Sequence, residues 1–566
     1  MKNQEIARIF YEIADILELK GVQWKPQAYR KAARSLENLG KDIEQVYKKQ
    51  GLKGVEEIPG IGENLALKIE EYIKTGKIKS YQKYRKSIPK GISDLMKIPG
   101  LGPKRAKKLY KELNIRSIKD LEAAAKKHRI INLSTFKEKS EQNIEKGIEL
   151  MKKRKRMLLG TTLPIAEDIV KKLKTLREVK EISIAGSLRR MNSTIGDIDI
   201  LITSSNPIKV MDFFTSLPKV TRILAKGPTK SSALLGSMQV DLRIVEEKSY
   251  GSALQYFTGN KDHNIRLREI ARKKGLKLSE YGLFKQKQIA GRREKDVYKK
   301  LGMQYIEPEL RENTGEIAAA INGKLPKLIK LTDIKGDLHM HTTWSDGRNS
   351  IKEMVLAAKA MGYEYIAITD HSRSDRIGNG ITEDTLLEQV KAIRRLNIKG
   401  IKVLAGAEVD ILVDGSLDFD DSVLKKLDLI VASIHHDFKM PKAKMTSRVI
   451  RAMENRNVKI IGHPTKSPFG DEVVYNLDFP KILEAARETG TALEINAQTK
   501  KMDLNFSKAR EAKDQGVKLV INTDSHSCLN LANMRLGVAI ARKAWCEKAH
   551  ILNTLKYSKL VQALKK

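Results

Sequence analysis

Seven short apolar runs in the second half of the chain each end in a polar residue, and stretches of helical pattern separate them. Parallel strands that alternate with helices bring their carboxyl ends to one rim of a barrel. The pattern therefore predicts a parallel α/β barrel with a polar rim. The residues expected to meet there are His339, His341, His371, Glu408, His435, His463, Asn496, Asp524 and His526.

Most of these terminal residues are histidines or carboxylates, which are common ligands of zinc and manganese. A single histidine at the end of a strand is more often a hydrogen-bonded core or surface residue. Six of the seven runs end in His, Asp or Glu, however, and ordinary packing does not account for that number. We therefore expect a metal site. Cys528 follows His526 closely, but a lone thiol there is more simply incidental.

A second constraint lies between Ile184 and Ile200, where a strand, a glycine turn and another strand follow one another. Asp197 and Asp199 alternate with apolar residues at the start of the second strand, so both carboxylates face the same side. Two such carboxylates repel each other unless a cation lies between them. Mg²⁺, which prefers oxygen ligands and leaves positions open for phosphates, is the expected ion.

The Gly186-Ser187 turn with Arg189 and Arg190 offers backbone amides and guanidinium groups to an anion near these carboxylates. Asp241 stands in a further apolar strand and would complete a set of three carboxylates. Such a set can hold two metal ions about 3.5–4 Å apart, as phosphoryl transfer requires. The plainer interpretation is a solvated strand edge with a β-turn.

The charge of the chain points to a polyanion. Its 566 residues include 107 Lys and Arg against 69 Asp and Glu, a net charge of +38. This excess favours nucleic acid as a partner, although a generally basic proteome would have the same effect. The two cysteines provide no disulfide framework. With no signal-peptide pattern and no apolar run of about 18 residues, we expect a soluble cytoplasmic protein that binds no membrane.

A hydrophobic-Pro-Gly-hydrophobic-Gly pattern occurs twice near the beginning of the chain, with glycines at Gly60 and Gly62 and again at Gly100 and Gly102. It resembles the helix-hairpin-helix, in which glycines let the backbone approach a DNA phosphate and helix N-terminal amides bind it. One copy would be weak support, since Pro-Gly turns join many helices. Two copies on a basic chain predict DNA binding that does not depend on sequence.

Over about residues 1–315 these motifs, together with Tyr256-Phe-Thr-Gly259, resemble the family X DNA polymerases of the polymerase beta type. The resemblance implies that Asp197 and Asp199 hold both Mg²⁺ ions and that Asp241 lies near the primer 3′-hydroxyl. One departure is Ile165 after Pro164, where some family members have an arginine. Further implied contacts are Gly186, Ser187, Arg190 and Gly196 to the triphosphate, Tyr256, Phe257 and Gly259 to the sugar, Asn264 to the incoming base, and Arg268 to the template strand. Ordinary helix packing is the alternative for residues 252–268.

The amino-terminal region resembles the 5′-deoxyribose-phosphate lyase domain of that family. The resemblance places Lys68 at the Schiff-base lysine and Tyr29 at its supporting tyrosine. Glu56, Asn64 and Ser80 stand where the family has phosphate-binding lysines, which favours DNA docking over lyase activity. Most lysines such as Lys68 are simply exposed helix residues.

Across about residues 336–566, the order of the strand-end residues, with Asp346 among them, resembles the polymerase and histidinol phosphatase (PHP) superfamily. All nine positions of that motif are present. The resemblance implies up to three Mn²⁺ or Zn²⁺ ions in a distorted (β/α)7 barrel. The implied ligand sets are His339, His341, Glu408 and Asp524; Glu408, His435 and His463; and Asp346, His371 and His526.

The predicted architecture is multidomain, with an α-helical amino-terminal region, an α/β nucleotidyltransferase palm with a thumb, and the PHP barrel. The predicted parts are a lyase-like helix-hairpin-helix domain (1–80), a second helix-hairpin-helix subdomain (81–150), the palm (151–252), a nucleotide-selection subdomain (253–315), a linker (316–335) and the PHP domain (336–566).

We expect a monomeric family X DNA polymerase that adds dNTPs to gapped or primer–template DNA in base-excision or gap repair. The PHP domain would be a 3′–5′ exonuclease, with AP-endonuclease or 3′-phosphodiesterase activity left open. One alternative is a small-molecule phosphatase of the histidinol-phosphate type fused to a nucleotidyltransferase module. Another is a DNA-binding scaffold with inactive sites. The helix-hairpin-helix pair argues against the first, and the complete ligand sets argue against the second.

Overall fold

The computed structural model describes residues 2–37, 43–87, 92–95, 101–134, 136, 140–141, 144, 156–465 and 475–565. The chain forms two compact units. The first unit consists of residues 1–156, 211–306 and 311–323, and the second of residues 157–210, 307–310 and 324–566. The division therefore falls inside the predicted palm, whose earlier and later strands belong to different units.

The amino-terminal part of the first unit is helical, as its 3/4-spaced apolar residues predict. Ile6, Phe10 and Ile13 are fully buried on one face of the first helix. The ring of Phe10 packs edge-to-face on that of Tyr29, with centroids 5.3 Å apart. The helices described here are Lys2–Leu19, Lys25–Glu37, Ile43–Glu56, Glu63–Thr75, Lys79–Lys86, Ile92–Leu95, Pro103–Leu113 and Ile118–Lys126.

The palm segment of the second unit begins with the strand Met157–Leu158, which pairs with Thr194–Ile195, and the helix Leu159–Leu173. The strands Val179–Ile184 and Asp197–Ser204 then pair antiparallel. Between them the chain forms a short helix, Gly186–Arg189, where the sequence had predicted only a turn. The second strand alternates partly exposed Asp197 and Asp199 with buried apolar residues, which confirms the predicted period of two.

The later palm strands and the thumb, except residues 307–310, lie in the first unit. An antiparallel meander is formed by Val220–Lys226, Lys230–Leu235 and Met238–Ile244. Arg311 is fully buried, and it donates to Glu294 and to the carbonyl of Ile306. The helix Pro207–Thr215 includes residues of both units. The remaining helices are Tyr250–Thr258, Lys261–Lys273, Glu294–Lys300 and Glu316–Ile321. The remaining strands, which pair antiparallel, are Lys277–Ser279, Gly282–Phe284 and Gln288–Ala290.

The predicted seven-stranded barrel is confirmed in the second unit, where every strand pairs in parallel with the next along the chain. The strands are Gly336–Asp337, Tyr365–Ile368, Lys402–Asp410, Leu429–Ser433, Ile460–Ile461, Ala492–Asn496 and Leu519–Asn522. Beyond the first and last strands, Met340 forms a parallel bridge with Ser525, so the ring is nearly closed. Most strand residues are buried, as expected for a sheet covered on both faces.

Helices connect these strands or follow the last of them. They are Ile351–Ala360, Glu383–Arg395, Asp421–Leu424, Lys442–Glu454, Phe479–Thr489, Phe506–Asp514, Met534–Lys543 and Tyr557–Leu564. Within the described ranges, no helix combines the length and the apolar character that crossing a bilayer demands. Cys528 and Cys546 are both free thiols.

Candidate active sites

The barrel gathers the predicted ligands at the carboxyl ends of its strands. Glu408 lies at the centre and is fully buried. Its Oε2 is 3.2 Å from His339 Nε2, 3.5 Å from His341 Nε2 and 3.0 Å from His371 Nδ1. Its Oε1 is 2.9 Å from His463 Nε2 and 3.5 Å from His435 Nε2. One carboxylate therefore faces five imidazoles.

Two further carboxylates complete the cluster. Asp524 Oδ1 is 3.2 Å from His341 Nε2. Asp346 Oδ2 is 3.2 Å from His526 Nε2, and its Oδ1 is 3.7 Å from His371 Nε2. All nine predicted ligand residues belong to groups whose nitrogen and oxygen atoms lie within 4.8 Å of one another. One group is the predicted trio of Glu408, His435 and His463, and another joins His341 to the predicted trio that contains His526.

The unpaired atoms of this cluster fit a set of divalent cations. A buried polar atom without a hydrogen-bond partner is costly and uncommon. Many such atoms in the described chain belong to the predicted ligands. They are His339 Nε2, His341 Nδ1 and Nε2, Asp346 Oδ1, His371 Nδ1, Glu408 Oε2, His435 Nε2, His463 Nδ1 and Asp524 Oδ1. Mixed imidazole and carboxylate donors suit manganese or zinc.

Sequence reasoning missed the residues that orient these ligands. Glu494 accepts from His339 Nδ1 at 2.7 Å, and Asp410 Oδ1 lies 2.5 Å from His435 Nδ1. A carboxylate on one ring nitrogen sets the tautomer and turns the other nitrogen toward the metal. Glu494 lies two residues before Asn496 on the same strand face, so strand alternation could have identified it. Asp375 also joins a ligand-like group, but it follows no strand-end pattern.

Burial and the neighbouring charges shift the pKa values of these histidines in different directions. Burial alone would lower the pKa of His371, but Glu408 and Asp375 outweigh it and raise that pKa to about 9. The pKa of His463 is lowered to about 4 by burial and by the Lys501 ammonium. The pKa of Glu408 is held well below its usual range, because the surrounding histidines outweigh its burial. The central carboxylate is therefore ionised, as a metal ligand must be.

In the palm, Asp199 lies directly against Gly186. Gly186 has φ +63°, and a Cβ built on it would lie 2.2 Å from Asp199 Oδ2. A side chain at this position would therefore displace the Asp199 carboxylate from the place it occupies. Ser187 and Arg190 lie on and just after the short helix that Gly186 begins, and Gly196 precedes the strand of Asp197 and Asp199.

Asp241, the predicted third carboxylate, lies on the strand Met238–Ile244 in the first unit. Gln239 Nε2 donates to its Oδ1 at 2.8 Å, and Lys230 Nζ lies 3.3 Å from its Oδ2. The joining of Asp241 with Asp197 and Asp199 into one metal site stays a prediction.

The predicted sugar wall stands at the end of the helix Tyr250–Thr258. The rings of Tyr256 and Phe257 pack edge-to-face, and Gly259 follows with φ +71°. Asn264 is almost buried, and its amide already bonds Gln255 and the carbonyl of Tyr256. These two bonds use one of the two N–H donors of that amide and one of the two lone pairs on its oxygen. The predicted template contact, Arg268, is exposed on the next helix.

Two of the four helix-hairpin-helix glycines immediately precede helices. Gly62 and Gly102 are the N-cap residues of Glu63–Thr75 and Pro103–Leu113, and a Cβ at either would meet nothing within 4 Å. Their helix N-termini are thus open to an anion. Gly60 has φ +91°, which favours glycine, whereas Gly100 falls outside the described residues.

The two predicted lyase residues lie in the same helical domain. Lys68 is half-buried on the helix Glu63–Thr75. Tyr29 is buried, and burial raises the pKa of its hydroxyl to about 12. Their lyase roles remain predictions.

Comparison with protein families matches five models in chain order. Residues 1–78 match a helix-hairpin-helix domain and residues 92–148 a SAM-like helix-hairpin-helix tandem. Residues 163–264 match the DNA polymerase beta palm and residues 253–312 the DNA polymerase beta thumb. Residues 337–498 match the PHP domain. The predicted fold class is thereby confirmed.

Curated relatives divide into two groups. The DNA polymerase/3′-5′ exonuclease PolX of Bacillus subtilis (strain 168) is 39% identical over 563 residues, covering 98% of this chain and 97% of that protein. A probable phosphatase of Thermoanaerobacter sp. (strain X514) is 31% identical but covers 38% of this chain and 89% of its own length. A probable phosphatase of Acetivibrio thermocellus is 32% identical over 34% of this chain and 78% of its own length. The chain therefore belongs to the family X DNA polymerases that carry a PHP domain.

Proposed function

We propose that this chain is a DNA-directed DNA polymerase that fills short gaps and carries a 3′–5′ exonuclease in its PHP barrel. The observation that carries the proposal is the complete ligand cluster around Glu408, on the same chain as a polymerase beta palm. Leaving so many buried polar atoms unpaired costs stability. An inactive scaffold would have no reason to keep them.

In the palm, Asp197 and Asp199 would hold two Mg²⁺ ions. When bound, such ions neutralise charge on the triphosphate and on the attacking oxygen. Gly186 keeps the space that the Asp199 carboxylate occupies. Asp241, or solvent, accepts the proton of the primer 3′-hydroxyl.

We assign the remaining predicted residues to binding of the substrates. Their assigned roles are the triphosphate for Ser187, Arg190 and Gly196, exclusion of the ribose 2′-hydroxyl for Tyr256, Phe257 and Gly259, the incoming base for Asn264, and the template strand for Arg268. The net charge of +38 supports a DNA substrate, because it favours binding to phosphates along both strands.

In the barrel, the three ligand sets would hold up to three Mn²⁺ or Zn²⁺ ions. When bound, they acidify water and neutralise the departing phosphate oxygen. Glu494 and Asp410 hold the rings of His339 and His435 from the outside, so that their Nε2 atoms face inward. Hydrolysis would remove the 3′-terminal nucleotide, and the same site could open a 3′-blocked or abasic strand.

The amino-terminal helices would bind the DNA through the backbone amides at the N-termini of the two helices that follow Gly62 and Gly102. Lys68 is assigned to docking, with lyase chemistry as the alternative, because Glu56, Asn64 and Ser80 replace phosphate-binding lysines of the family. Trapping with borohydride on a 5′-deoxyribose-phosphate end separates the two, since a Schiff base is captured only in the lyase case. We further propose a monomeric, cytoplasmic enzyme of gap or base-excision repair.

A labelled duplex with a one-nucleotide gap tests the main proposal. The protein is incubated with and without dNTPs, in Mg²⁺ and in Mn²⁺, and extension and shortening of the primer are read from the same lanes. The Asp197→Ala variant should lose extension and keep shortening. The His341→Ala variant should show the reverse. Unchanged extension by Asp197→Ala would refute the palm assignment.

The phosphatase relatives support a second candidate, because they align with the barrel region. On this alternative the barrel hydrolyses a small phosphate monoester. The same preparations are therefore given a chromogenic monophosphate ester. Release of phosphate from the ester, combined with no shortening of DNA, would favour the phosphatase over the exonuclease.

A further inference from the structure

The helix Met534–Lys543 follows the last barrel strand and contacts the palm segment of the same compact unit. Lys543 is only 6% exposed. Its Nζ donates to the carbonyl of Arg190 at 3.1 Å and to Asn192 Oδ1 at 2.9 Å. Two residues 353 positions apart in the chain are thus joined by a charge-assisted hydrogen bond.

The helix that carries Lys543 belongs to a packed junction between the palm segment and the barrel region. A Cβ built on Gly160 of the palm would lie 2.4 Å from Thr499 and 3.3 Å from Leu536 of the barrel region. Arg535, on the same helix as Lys543, pairs with Glu167 at 2.7 Å, but both of those side chains are about 40% exposed. The buried lysine and the exposed arginine therefore make two unlike contacts across one junction.

The segment that Lys543 holds adjoins the palm helix Gly186–Arg189. Met191 has φ +53°, a left-handed conformation that non-glycine residues adopt at a cost. Asn192 N donates back to the carbonyl of Ser187 at 3.0 Å. The ammonium of Lys543 binds oxygens on both sides of Met191. It therefore stabilises the conformation that sets the direction of the Arg190 side chain.

We propose that Lys543, supplied by the PHP region, is a positioning residue for dNTP binding by the palm. It holds the main chain of Arg190 to Asn192, so that Ser187 and Arg190 meet the triphosphate in the correct geometry. This inference depends on the proposed role of Ser187 and Arg190 in triphosphate binding. It makes the PHP region part of the nucleotide site even when nuclease activity is absent.

The test measures KM for the dNTP and kcat in one-nucleotide gap filling, in a His341→Ala background that removes the nuclease. Lys543→Met should raise KM about tenfold, the loss expected when a hydrogen bond to a charged group is removed, with kcat within about twofold. Lys543→Arg, which keeps a cation, should recover most of the affinity. Arg535→Ala, the matched control on the same helix, should change KM by less than about twofold.

One further variant and one further measurement make the outcome decisive. Asn192→Leu removes one acceptor from the palm side and should also raise KM. If Lys543→Met fails to fold, this variant decides alone, and an unchanged KM overturns the proposal. Exonuclease activity of Lys543→Met in the wild-type background should stay unchanged, and an equal loss of both activities in a folded protein would overturn it.

Arg190→Ala separates this inference from the proposed function beneath it. If Arg190→Ala leaves KM for the dNTP unchanged, the triphosphate assignment itself is wrong, and the role of Lys543 falls with it. If Arg190→Ala raises KM and folded Lys543→Met does not, only the positioning role of Lys543 is overturned.

Discussion

Replacing Gly186 by alanine tests the palm assignment through one added methyl group. The new Cβ would lie 2.2 Å from Asp199 Oδ2, roughly 1 Å short of an ordinary van der Waals contact. The Asp199 carboxylate must therefore move by a similar distance. A misplacement of about 1 Å at a reacting centre can cost about 100-fold in rate. We expect Gly186→Ala to lower kcat for gap filling by about that factor.

The same substitution also strains the backbone, because Gly186 has φ +63°. A left-handed conformation costs alanine about 1–2 kcal/mol. Gly236 provides the matched control: it has φ +61° in the hairpin before Met238, and a Cβ there would meet nothing within 4 Å. Gly236→Ala should share the loss of stability while retaining gap filling.

The assay compares both variants in one-nucleotide gap filling, thermal unfolding and exonuclease digestion. Gly186→Ala should lose polymerisation, keep exonuclease activity and unfold at nearly the same temperature as Gly236→Ala. If Gly186→Ala polymerises within about threefold of the wild type, the placement of Asp199 at the reacting centre is refuted. If both variants lose polymerisation equally, backbone strain rather than displacement of the carboxylate is responsible.

Three other predictions follow from the sites. Glu408→Gln should show less bound metal in elemental analysis and should lose exonuclease activity, while gap filling persists. The reason is that one neutral amide cannot replace a carboxylate facing five imidazoles. Retained metal content would contradict the central role of Glu408. In chelator-treated protein, the raised pKa of His371 contributes stability that is present below pH 6.5 and is lost as the pH rises toward about 9. The unfolding temperature should therefore fall between these two pH values. In His371→Asn, which lacks this titrating group, it should fall less. At Gly62 and Gly102 there is open space for a side chain. Gly62→Asp and Gly102→Asp place a negative charge before each helix N-terminus and should therefore weaken binding to duplexes of any sequence. A loss of binding confined to one sequence would argue against phosphate binding.

The ligand residues of the barrel were accessible from the sequence because of strand geometry. In a parallel barrel, the residue that ends a strand lies on the rim whatever the details of packing. His371, Glu408 and His463 could therefore be expected to converge before any distance was known. The alternation of Asp197 and Asp199 followed from the same kind of local rule, since side chains in a strand repeat every two residues.

Other features depended on contacts that no local pattern encodes. The helical turn at Gly186–Arg189 replaced the predicted simple turn. The amide of Asn264 bonds Gln255 and the carbonyl of Tyr256, two contacts that the helical spacing of the sequence did not indicate. Asp375 approaches His371 and His435 from a loop whose course is set by packing.

The sequence by itself determined the order of the domains, the family and the residues able to bind metal, because periodicity and motif spacing are properties of the local chain. The tertiary structure alone decided which carboxylate lies at the centre of five histidines, which outer carboxylates orient those rings, and that Lys543 holds the carbonyl of Arg190. These are meetings of residues far apart in the chain. They arise only when burial of apolar strands and helices brings distant polar groups within hydrogen-bonding distance.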